Sequence, residues 1–342
     1  MVKRPTITDL ARQAGVSVAT VDRVLNRRLP VRGDTAMRVV AAAESIGYHA
    51  TGLLKRRLLE VPRRSFGFLL QKHDDSFYQA FGAELSQATK AAILVQGRPV
   101  IEYVDELVPA LIASRIRDLG ERVDALAIVA VDHPLVNAAV EEIAAKGKPV
   151  ITLLSDVTSP ARMGYLAVDS RKAGRTAAWT ISRLAKRPGK IGILIGTHRY
   201  LSQEIAEMSF RSYIREHAPE FQLLEPVINL DDERIAYEAV SGMLARNPDL
   251  AGIYVSGGGQ DGMIGALRDE KAGQRIIGVC NELTTTTKAA LIDGIIDMVL
   301  ATPIAAMAVR AVEAMVQAVT SPRRENLGQV LFPAEIFISE NI

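Results

Sequence analysis

The side chains best suited to ligand-binding chemistry follow apolar runs of the sequence. Asp75, Phe77 and Tyr78 come shortly after the apolar run 66–70. Aromatic faces can stack on the C–H faces of a sugar ring, and a carboxylate accepts protons from its hydroxyl groups. This segment therefore predicts contacts to a polyhydroxylated small molecule. The alternative is an aromatic pair that only caps the core.

Several further residues occupy similar positions after apolar runs, and we predict that they line the same ligand site. They are Asp132, Ser155, Asp169, Glu204, Asp231, Gly258, Asn281 and Glu282. In open parallel sheets, ligands bind beyond the carboxyl ends of the strands, which is why these positions are the candidates. Any one of the acids among them could instead be a solvated loop charge.

A glycine-rich segment supplies a competing interpretation. Residues 257–262 match G-x-G-x-x-G between a predicted strand and a predicted helix, and Glu282 follows Gly262 by twenty residues. This is the dinucleotide fingerprint, so an NAD-binding oxidoreductase of the Rossmann type is the rival class. It is disfavoured because the motif lies deep in the chain rather than on a first β–α–β unit.

Other catalytic and metal-binding signatures do not occur in the sequence. It contains no H-E-x-x-H, Walker A or G-x-S-x-G motif, and its five histidines show no metal-ligand spacing. The single cysteine, Cys280, permits neither an intramolecular disulfide nor a cysteine-based zinc site. We therefore expect no enzyme activity, no cofactor and no metal.

Short strands that alternate with helices must position the candidate ligand residues. Six β-rich runs each precede a predicted helix. The runs lie at 66–70, 125–131, 150–154, 190–195, 252–256 and 276–280. Such alternation favours parallel sheets covered by helices on both faces, and about 275 residues of it suffice for two α/β lobes.

The N-terminal segment predicts a different, all-α domain. Thr6 and Asp9 form a capping-box pattern that opens a first helix, and Gly15 ends it. Ser17 can cap a second helix after this glycine turn. Two short helices joined in this way are typical of a helix-turn-helix motif.

A third helix completes the predicted head. It runs from about residue 33 to 46 and places Met37, Val40 and Ala41 on one face. Three helices can enclose a small core, and the second helix is then the one that enters the major groove of DNA.

Charge also divides the chain of 342 residues and 37.1 kDa. Residues 1–64 carry a net charge of +8, and the remainder carries −6. A basic head on an acidic body suggests a polyanion-binding module joined to another domain. The N-terminus has no signal-peptide pattern and no segment approaches ~18 uncharged apolar residues, so we expect a cytoplasmic protein without membrane contact.

Residues 8–26, TDLARQAGVSVATVDRVLN, resemble the DNA-binding signature of LacI-family transcription regulators. The resemblance implies a helix-turn-helix domain over 1–50, a hinge or linker over 51–64, and a two-lobed core over 65–342 that is similar to a periplasmic binding protein of the ribose type. It further implies a homodimer that acts as a repressor on a double-stranded, pseudo-palindromic operator.

The resemblance also implies which head residues contact DNA. Val18 and Ala19 match the first residues of the recognition helix, which read bases, although both could merely pack. Arg23 lies one turn later and can donate two hydrogen bonds to guanine. Ser17 and Thr20 could hold phosphates. The remaining candidates are Thr6, Asp22, Asn26 and Leu58, of which Leu58 is the predicted minor-groove wedge of the hinge; Arg57 at that position, or a linker without insertion, is the alternative.

Matching positions in sugar-binding relatives imply that Asp75, Phe77 and Tyr78 meet a small effector between the lobes. The chain departs from the ribose-type pattern at Leu154–Ser155, before Phe210 and near Ala301–Thr302, where it lacks the usual arginines and a glutamine. Without those arginines a carboxylate ligand loses its bidentate partner, so a neutral sugar or polyol is favoured. A purine-like or phosphorylated effector stays open.

Overall fold

The computed structural model describes residues 4–26, 33–52, 62–92, 94–273, 275–321 and 326–342. The head contains α1 (Ile7–Ala14), α2 (Val18–Asn26) and α3 (Gly33–Ser45). The predicted capping box is present, because Asp9 N–H donates to Thr6 Oγ1 (3.3 Å) and Thr6 N–H donates to Asp9 Oδ2 (2.9 Å). Gly15 ends α1 in the left-handed conformation, with φ 62°.

The three helices of the head enclose a small apolar core. Its buried residues include Leu10, Val21, Val24, Val39 and Ala43. The predicted face of α3 is wrong at two positions. Met37 is 54% exposed and Ala41 is exposed, whereas Val40 is buried together with Ala36, Val39 and Ala43. The buried stripe runs through Ala36, Val40 and Ala43, which is rotated from the predicted one by about one residue.

The core begins at β1, two residues before the predicted boundary at residue 65. Its first elements in chain order are β1 (Arg63–Gln71), α4 (Ser76–Ala91), β2 (Gln96–Val104), α5 (Pro109–Arg122), β3 (Ala125–Ile128), α6 (Pro134–Ala145), β4 (Val150–Leu153), β5 (Gly164–Val168) and α7 (Ser170–Leu184). The chain continues with β6 (Lys190–Ile195), α8 (Leu201–His217), β7 (Gln222–Leu223), β8 (Val227–Ile228), α9 (Glu233–Arg246), β9 (Leu250–Val255), α10 (Gln260–Asp269) and β10 (Ile277–Asn281). It ends with α11 (Thr285–Ile292), β11 (Met298–Ala301), α12 (Ile304–Thr320), β12 (Gly328–Phe332) and β13 (Glu335–Phe337).

These strands form two sheets, one in each of two lobes. The first sheet has six strands in the order β12-β5-β4-β3-β1-β2, and all of its pairings are parallel. The second has the order β13-β11-β10-β9-β6-β7, with β8 also paired to β6, and only β13 is antiparallel. Helices pack on the sheets through the apolar clusters of each lobe. The predicted pair of parallel-sheet lobes is confirmed.

All six predicted runs form strands, but β4 differs from the expectation. It leads through a loop into β5, whereas the other five lead into helices. Strands β2, β5, β7, β8 and β11 to β13 were not predicted. The edge strand β2 reads QGRPVIEYV, and its mixed polar character hides it from a search for apolar runs.

Three crossovers carry the chain between the lobes. The first joins β5 to α7, the second joins β11 to α12, and the third joins β12 to β13. A hydrogen bond joins the first crossover to the third, since Asp169 N–H donates to the carbonyl oxygen of Phe332 (2.9 Å). Among the described residues, no helix is both long and apolar enough to span a membrane.

Candidate ligand cavity and candidate nucleic-acid interface

A cavity of about 130 Å³ lies between the two lobes, beyond the carboxyl ends of strands from both sheets. Eight of the eleven predicted ligand-site residues line it: Asp75, Phe77, Tyr78, Ser155, Asp231, Gly258, Asn281 and Glu282. The first four belong to the first lobe and the other four to the second. Residues that are far apart in the sequence, and that were selected because they follow strands, thus lie around one cavity. Their contact with a ligand stays a prediction.

The first-lobe wall is built at the start of α4. Asp75 is the N-cap of this helix, and its Oδ1 accepts hydrogen bonds from the backbone N–H groups of Phe77 (2.9 Å) and Tyr78 (3.2 Å). Phe77 packs edge-on against Tyr78, with 5.2 Å between ring centroids, and its ring lies 6.1 Å from that of the core residue Phe81. Phe77 therefore contacts the core and also lines the cavity. Burial, followed by the nearby carboxylates, raises the pKa of the Tyr78 phenol, so this group stays neutral.

The second-lobe wall is organised by the buried side chain of Asn229. Asn229 Oδ1 accepts from the N–H of Asp231 (2.9 Å), and Asn229 Nδ2 donates to the carbonyl oxygen of Gly258 (2.8 Å). Gly258 N–H in turn donates to Asp231 Oδ1 (2.8 Å). Asp231 has φ 53°, a strained value for a residue with a Cβ, and the network stabilises it. Burial raises the pKa of Asp231, and the Gly258 N–H bond acts against this rise.

The glycine-rich segment is explained by close packing. A Cβ on Gly258 would lie 2.7 Å from Cβ of Asp231, and Gly259 has φ 91°. A Cβ on Gly262 would collide with the carbonyl oxygen of Glu233, where α10 crosses α9. These glycines are needed for the Asp231 wall and for helix packing, so the dinucleotide fingerprint has a structural origin here.

Glu282 lies where the cavity meets the second crossover. Its Oε2 accepts from the N–H of Thr302 (2.9 Å), and its Oε1 accepts from the Thr302 hydroxyl (2.6 Å). Burial raises the pKa of Glu282 to about 7, against the lowering effect of the Thr302 bonds, and Asp75 contributes to the rise. The group can therefore change its charge near neutral pH.

Hydrogen bonds across the cavity hold the two lobes together. The ammonium of Lys72 in the first lobe donates to the carbonyl oxygen of Asp231 in the second (2.5 Å). The N–H of Ser202 donates to Ser155 Oγ (3.4 Å), again between lobes. The structure is thus a closed arrangement in which the cavity is bounded on both sides.

The predicted ligand set leaves out many lining residues, among them the polar residues Gln71, Lys72, Tyr200 and Gln260. Gln71 is 1% exposed, and its Nε2 donates to the carbonyl oxygen of Val129 (2.7 Å). Within the described part of the chain, Gln71 Oε1, the Tyr200 hydroxyl and Gln260 Oε1 have no hydrogen-bond partner. A glutamine at the end of an otherwise apolar strand was the available signal for Gln71, since a buried polar group needs a partner.

Three predicted ligand residues lie outside the cavity, and these predictions are corrected. Asp132 Oδ1 accepts from the N–H of Thr158 (2.9 Å) and so holds two loops of the first lobe together. Asp169 is the N-cap of α7 and accepts from the N–H of Lys172 (3.1 Å). Glu204 lies in the first turn of α8, where a negative charge suits the helix dipole.

The second helix of the head presents most of the predicted DNA contacts. Ser17, Ala19 and Arg23 are exposed, and Val18 is 42% exposed, which argues against the alternative that Val18 and Ala19 only pack. Ser17 caps the helix by accepting from the N–H of Thr20 (3.1 Å). An exposed, capped helix with a bare N-terminal turn can approach base edges closely.

The other predicted DNA contacts are less accessible to DNA than the exposed residues of α2, or they lie outside the described residues. Thr6 is exposed, but its hydroxyl donates to Asp9 in the capping box (2.7 Å). Asp22 is half-buried on α2. The side chain of Asn26 and all of Leu58 lie outside the described residues.

This arrangement defines a two-lobed ligand-binding core that carries an N-terminal helix-turn-helix head. The family model "Periplasmic binding protein domain" matches residues 66–322, and the model "Bacterial regulatory proteins, lacI family" matches residues 6–51. The chain therefore belongs to the periplasmic binding protein family through its core, and it carries an N-terminal domain that matches the lacI family of bacterial regulatory proteins.

Curated relatives agree with this assignment. An HTH-type transcriptional regulator of Streptomyces limosus, encoded in the aml 5′ region, is 29% identical over 205 residues, which are 58% of this chain and 54% of the relative. RegA of Clostridium saccharobutylicum, also an HTH-type transcriptional regulator, is 40% identical over 73 residues, or 21% of this chain and 22% of the relative. The chain thus spans about half the length, or less, of the curated relatives it matches.

Solved structures share the fold of the core. A solute-binding protein of Agrobacterium vitis, bound to α-D-tagatopyranose, has a TM-score of 0.74 at 19% identity over 82% of this chain and 96% of its own. A solute-binding protein of Burkholderia graminis in complex with D-arabinose has a TM-score of 0.73 at 18% identity, again over 82% and 96%. The comparisons give no support to the oxidoreductase alternative.

Proposed function

We propose that this protein is a cytoplasmic transcription regulator that binds a double-stranded DNA operator as a homodimer, under the control of a sugar or polyol effector. The observation that carries the proposal is a cavity whose walls come from both lobes, in a chain that also presents an exposed second helix in its head. The regulators among its relatives support DNA binding, and the solved structures with bound sugars support the effector class.

DNA recognition in this proposal uses the exposed face of α2. Arg23 donates two hydrogen bonds to O6 and N7 of a guanine, while Val18 and Ala19 contact thymine methyl groups or exclude larger groups. The N-terminal turn of α2, capped by Ser17, faces a phosphate. Two copies related by a two-fold axis would read two half-sites of a pseudo-palindrome.

Effector control in this proposal acts through the cleft. A ligand in the cavity contacts both walls, where Lys72 already bonds to Asp231 across the lobes. The ligand shifts the equilibrium between lobe arrangements because it binds one of them more tightly than the other. In the dimer, this shift changes the relative placement of the two DNA-binding heads.

Selection of a binding site from random double-stranded DNA, using the full chain, tests the DNA part. We expect an enriched pseudo-palindrome, and sedimentation should show a dimer on it. Arg23→Ala should weaken binding by ~1–3 kcal/mol and relax the base preference at one position per half-site. Arg183→Ala, an exposed arginine on α7 of the core, is the matched control for lost positive charge. The DNA proposal fails if no sequence is enriched, or if both variants lose affinity equally.

A ligand screen tests the effector part. Thermal unfolding of the full chain is measured with sugars, polyols, sugar acids, nucleobases and NAD(H), because a ligand at 100 times its Kd adds ~2.7 kcal/mol of stability. Compounds that stabilise the protein are then added to the operator complex. We expect a sugar or polyol to change operator affinity. A shift with NAD(H) alone, or unchanged operator affinity with every stabilising compound, would contradict the proposal.

A further inference from the structure

The charges that line the cavity are unbalanced. Three carboxylates, those of Asp75, Asp231 and Glu282, line it together with one ammonium, that of Lys72. The ammonium is already bonded to the carbonyl oxygen of Asp231 (2.5 Å), so its closest partner is a neutral group. Of the lining residues, the remaining ones are uncharged. The cavity therefore has an excess of negative charge.

Asp75 is the common neighbour of the other acids. After burial, which is the largest cause, its charge contributes to the raised pKa of Asp231 and of Glu282, and it also contributes to that of Asp261 on α10. Its Oδ1 caps α4, and the residue lines the cavity from the first lobe. A cation near Asp75 would thus relieve repulsion among carboxylates contributed by both lobes.

A buried acceptor in the cavity wall, the side-chain oxygen of Gln71, is a second and independent feature that favours a ligand with hydrogen-bond donors. Gln71 is 1% exposed and lines the cavity, and its Oε1 has no partner among the described residues. The orientation of the amide is settled, because Nε2 donates to the carbonyl oxygen of Val129 (2.7 Å) and the other face must then be oxygen. An unpaired buried acceptor costs free energy until a donor reaches it.

We propose that the effector is an aminated sugar or amino polyol, whose ammonium group is bound by the carboxylates of Asp75 and Glu282. This inference rests on the proposed function and specifies its ligand. Hydroxyl groups of the ligand donate to Gln71 Oε1, and Phe77 and Tyr78 offer aromatic faces that attract both C–H groups and cations. Sugar acids are excluded because their carboxylate would lie among like charges.

The test uses sets of sugars that share one ring and differ in charge. Calorimetric titration of the full chain is carried out with D-glucosamine, D-glucose, N-acetyl-D-glucosamine and D-glucuronate, and with the corresponding galactose and mannose sets. We expect an amino sugar to bind at least about tenfold more tightly than its neutral and N-acetylated counterparts, because a charge-assisted hydrogen bond is lost in both. The N-acetyl compound controls for the nitrogen substituent without its charge.

Variants locate the ammonium. Asp75→Asn removes the charge but keeps a good helix N-cap, so the start of α4 should be preserved, and this is checked by thermal unfolding. We expect it to weaken amino-sugar binding at least about tenfold and to leave the neutral sugar within about twofold. Asp74→Asn is the matched control, since Asp74 is an exposed neighbour that does not line the cavity. Glu282→Gln is the second binding variant, and it should also weaken the amino sugar selectively.

The outcomes separate this inference from the proposed function. If a neutral sugar or a sugar acid binds as tightly as its amino counterpart and changes operator affinity, the regulator proposal stands and the amino-sugar inference is wrong. If no amino compound of the three sets binds, the inference is also wrong. If no operator can be selected at all, the proposed function fails whatever the titrations show.

Discussion

Replacing Glu282 by glutamine should stabilise the folded protein at alkaline pH. The pKa of this carboxyl is about 7 in the folded protein, against 4.5 for the ordinary side chain, because burial disfavours its ionised form. The folded state therefore retains a proton that the unfolded state loses between these values. The free energy of unfolding of the wild-type protein should fall as pH rises from about 4.5 to about 7 and then stay level.

The magnitude follows from the two pKa values. The full penalty of an ionised Glu282 at pH 8 is about 3 kcal/mol. Glutamine removes it but also forfeits one of the two bonds from Thr302, because an amide nitrogen cannot accept, and this costs about 1 kcal/mol. The net gain at pH 8 should be about 2 kcal/mol, and at pH 5, where the folded carboxyl is already neutral, the variant and the wild type should nearly coincide.

Urea unfolding at the two pH values provides the assay. Trp179 is the only tryptophan of the chain and lies on α7, which packs on the lobe that contains Glu282, so its fluorescence reports on the relevant lobe. Glu220→Gln, at an exposed position of the same lobe, is the control and should have little effect at either pH. A gain for Glu282→Gln that is equal at pH 5 and pH 8, or a loss at pH 8, would refute the assignment of a burial-raised pKa.

Three further substitutions test the packing of the head and core. Thr6→Ala removes a helix N-cap and should cost the head about 1 kcal/mol, measured by hydrogen exchange of the α1 amides. Gly174→Ala places a Cβ against the backbone carbonyl of Ala206, where α7 crosses α8, and should cost about 1–3 kcal/mol in urea unfolding followed by Trp179 fluorescence. Arg38→Met loses a charge-assisted bond to the carbonyl oxygen of Ala14 (2.8 Å) and should lower head stability by about 2 kcal/mol, with Met37→Lys at an exposed neighbour as the neutral control.

Six apolar strands and part of the cavity wall could be predicted because one physical rule connects them. A buried parallel strand needs a continuous apolar run, so the run at 66–70 is visible in the sequence, and the side chains just after it must lie at the open edge of the sheet. The rule fails where burial is incomplete. Edge strand β2 is polar on average, and the predicted face of α3 is wrong by about one residue because the three consecutive alanines at 41–43 give little contrast between neighbouring positions.

Asp75 and Asp169 show why the rule could not separate ligand contacts from caps. Each follows a strand and begins a helix, and each accepts a backbone hydrogen bond as an N-cap. The first lines the cavity and the second does not. Val168 and Ser170, on either side of Asp169, do line the cavity, so the difference concerns the Asp169 side chain alone and has no local sequence signal. Gln71 was missed for a similar reason. The feature that makes it a candidate ligand contact is an unpaired side-chain oxygen, which is visible only in the packed structure.

The second crossover connects the chemistry of the cavity to the movement of the lobes. Thr302 lies between β11 of the second lobe and α12 of the first, and it donates both its N–H and its hydroxyl to Glu282. A cation or proton that reaches Glu282 withdraws charge from these two bonds and so weakens them. Because the chain must pivot at its crossovers when the lobes open, the strength of these bonds contributes to the balance between closed and open arrangements. We therefore expect this one carboxyl, without a long pathway of contacts, to couple ligand charge to lobe closure.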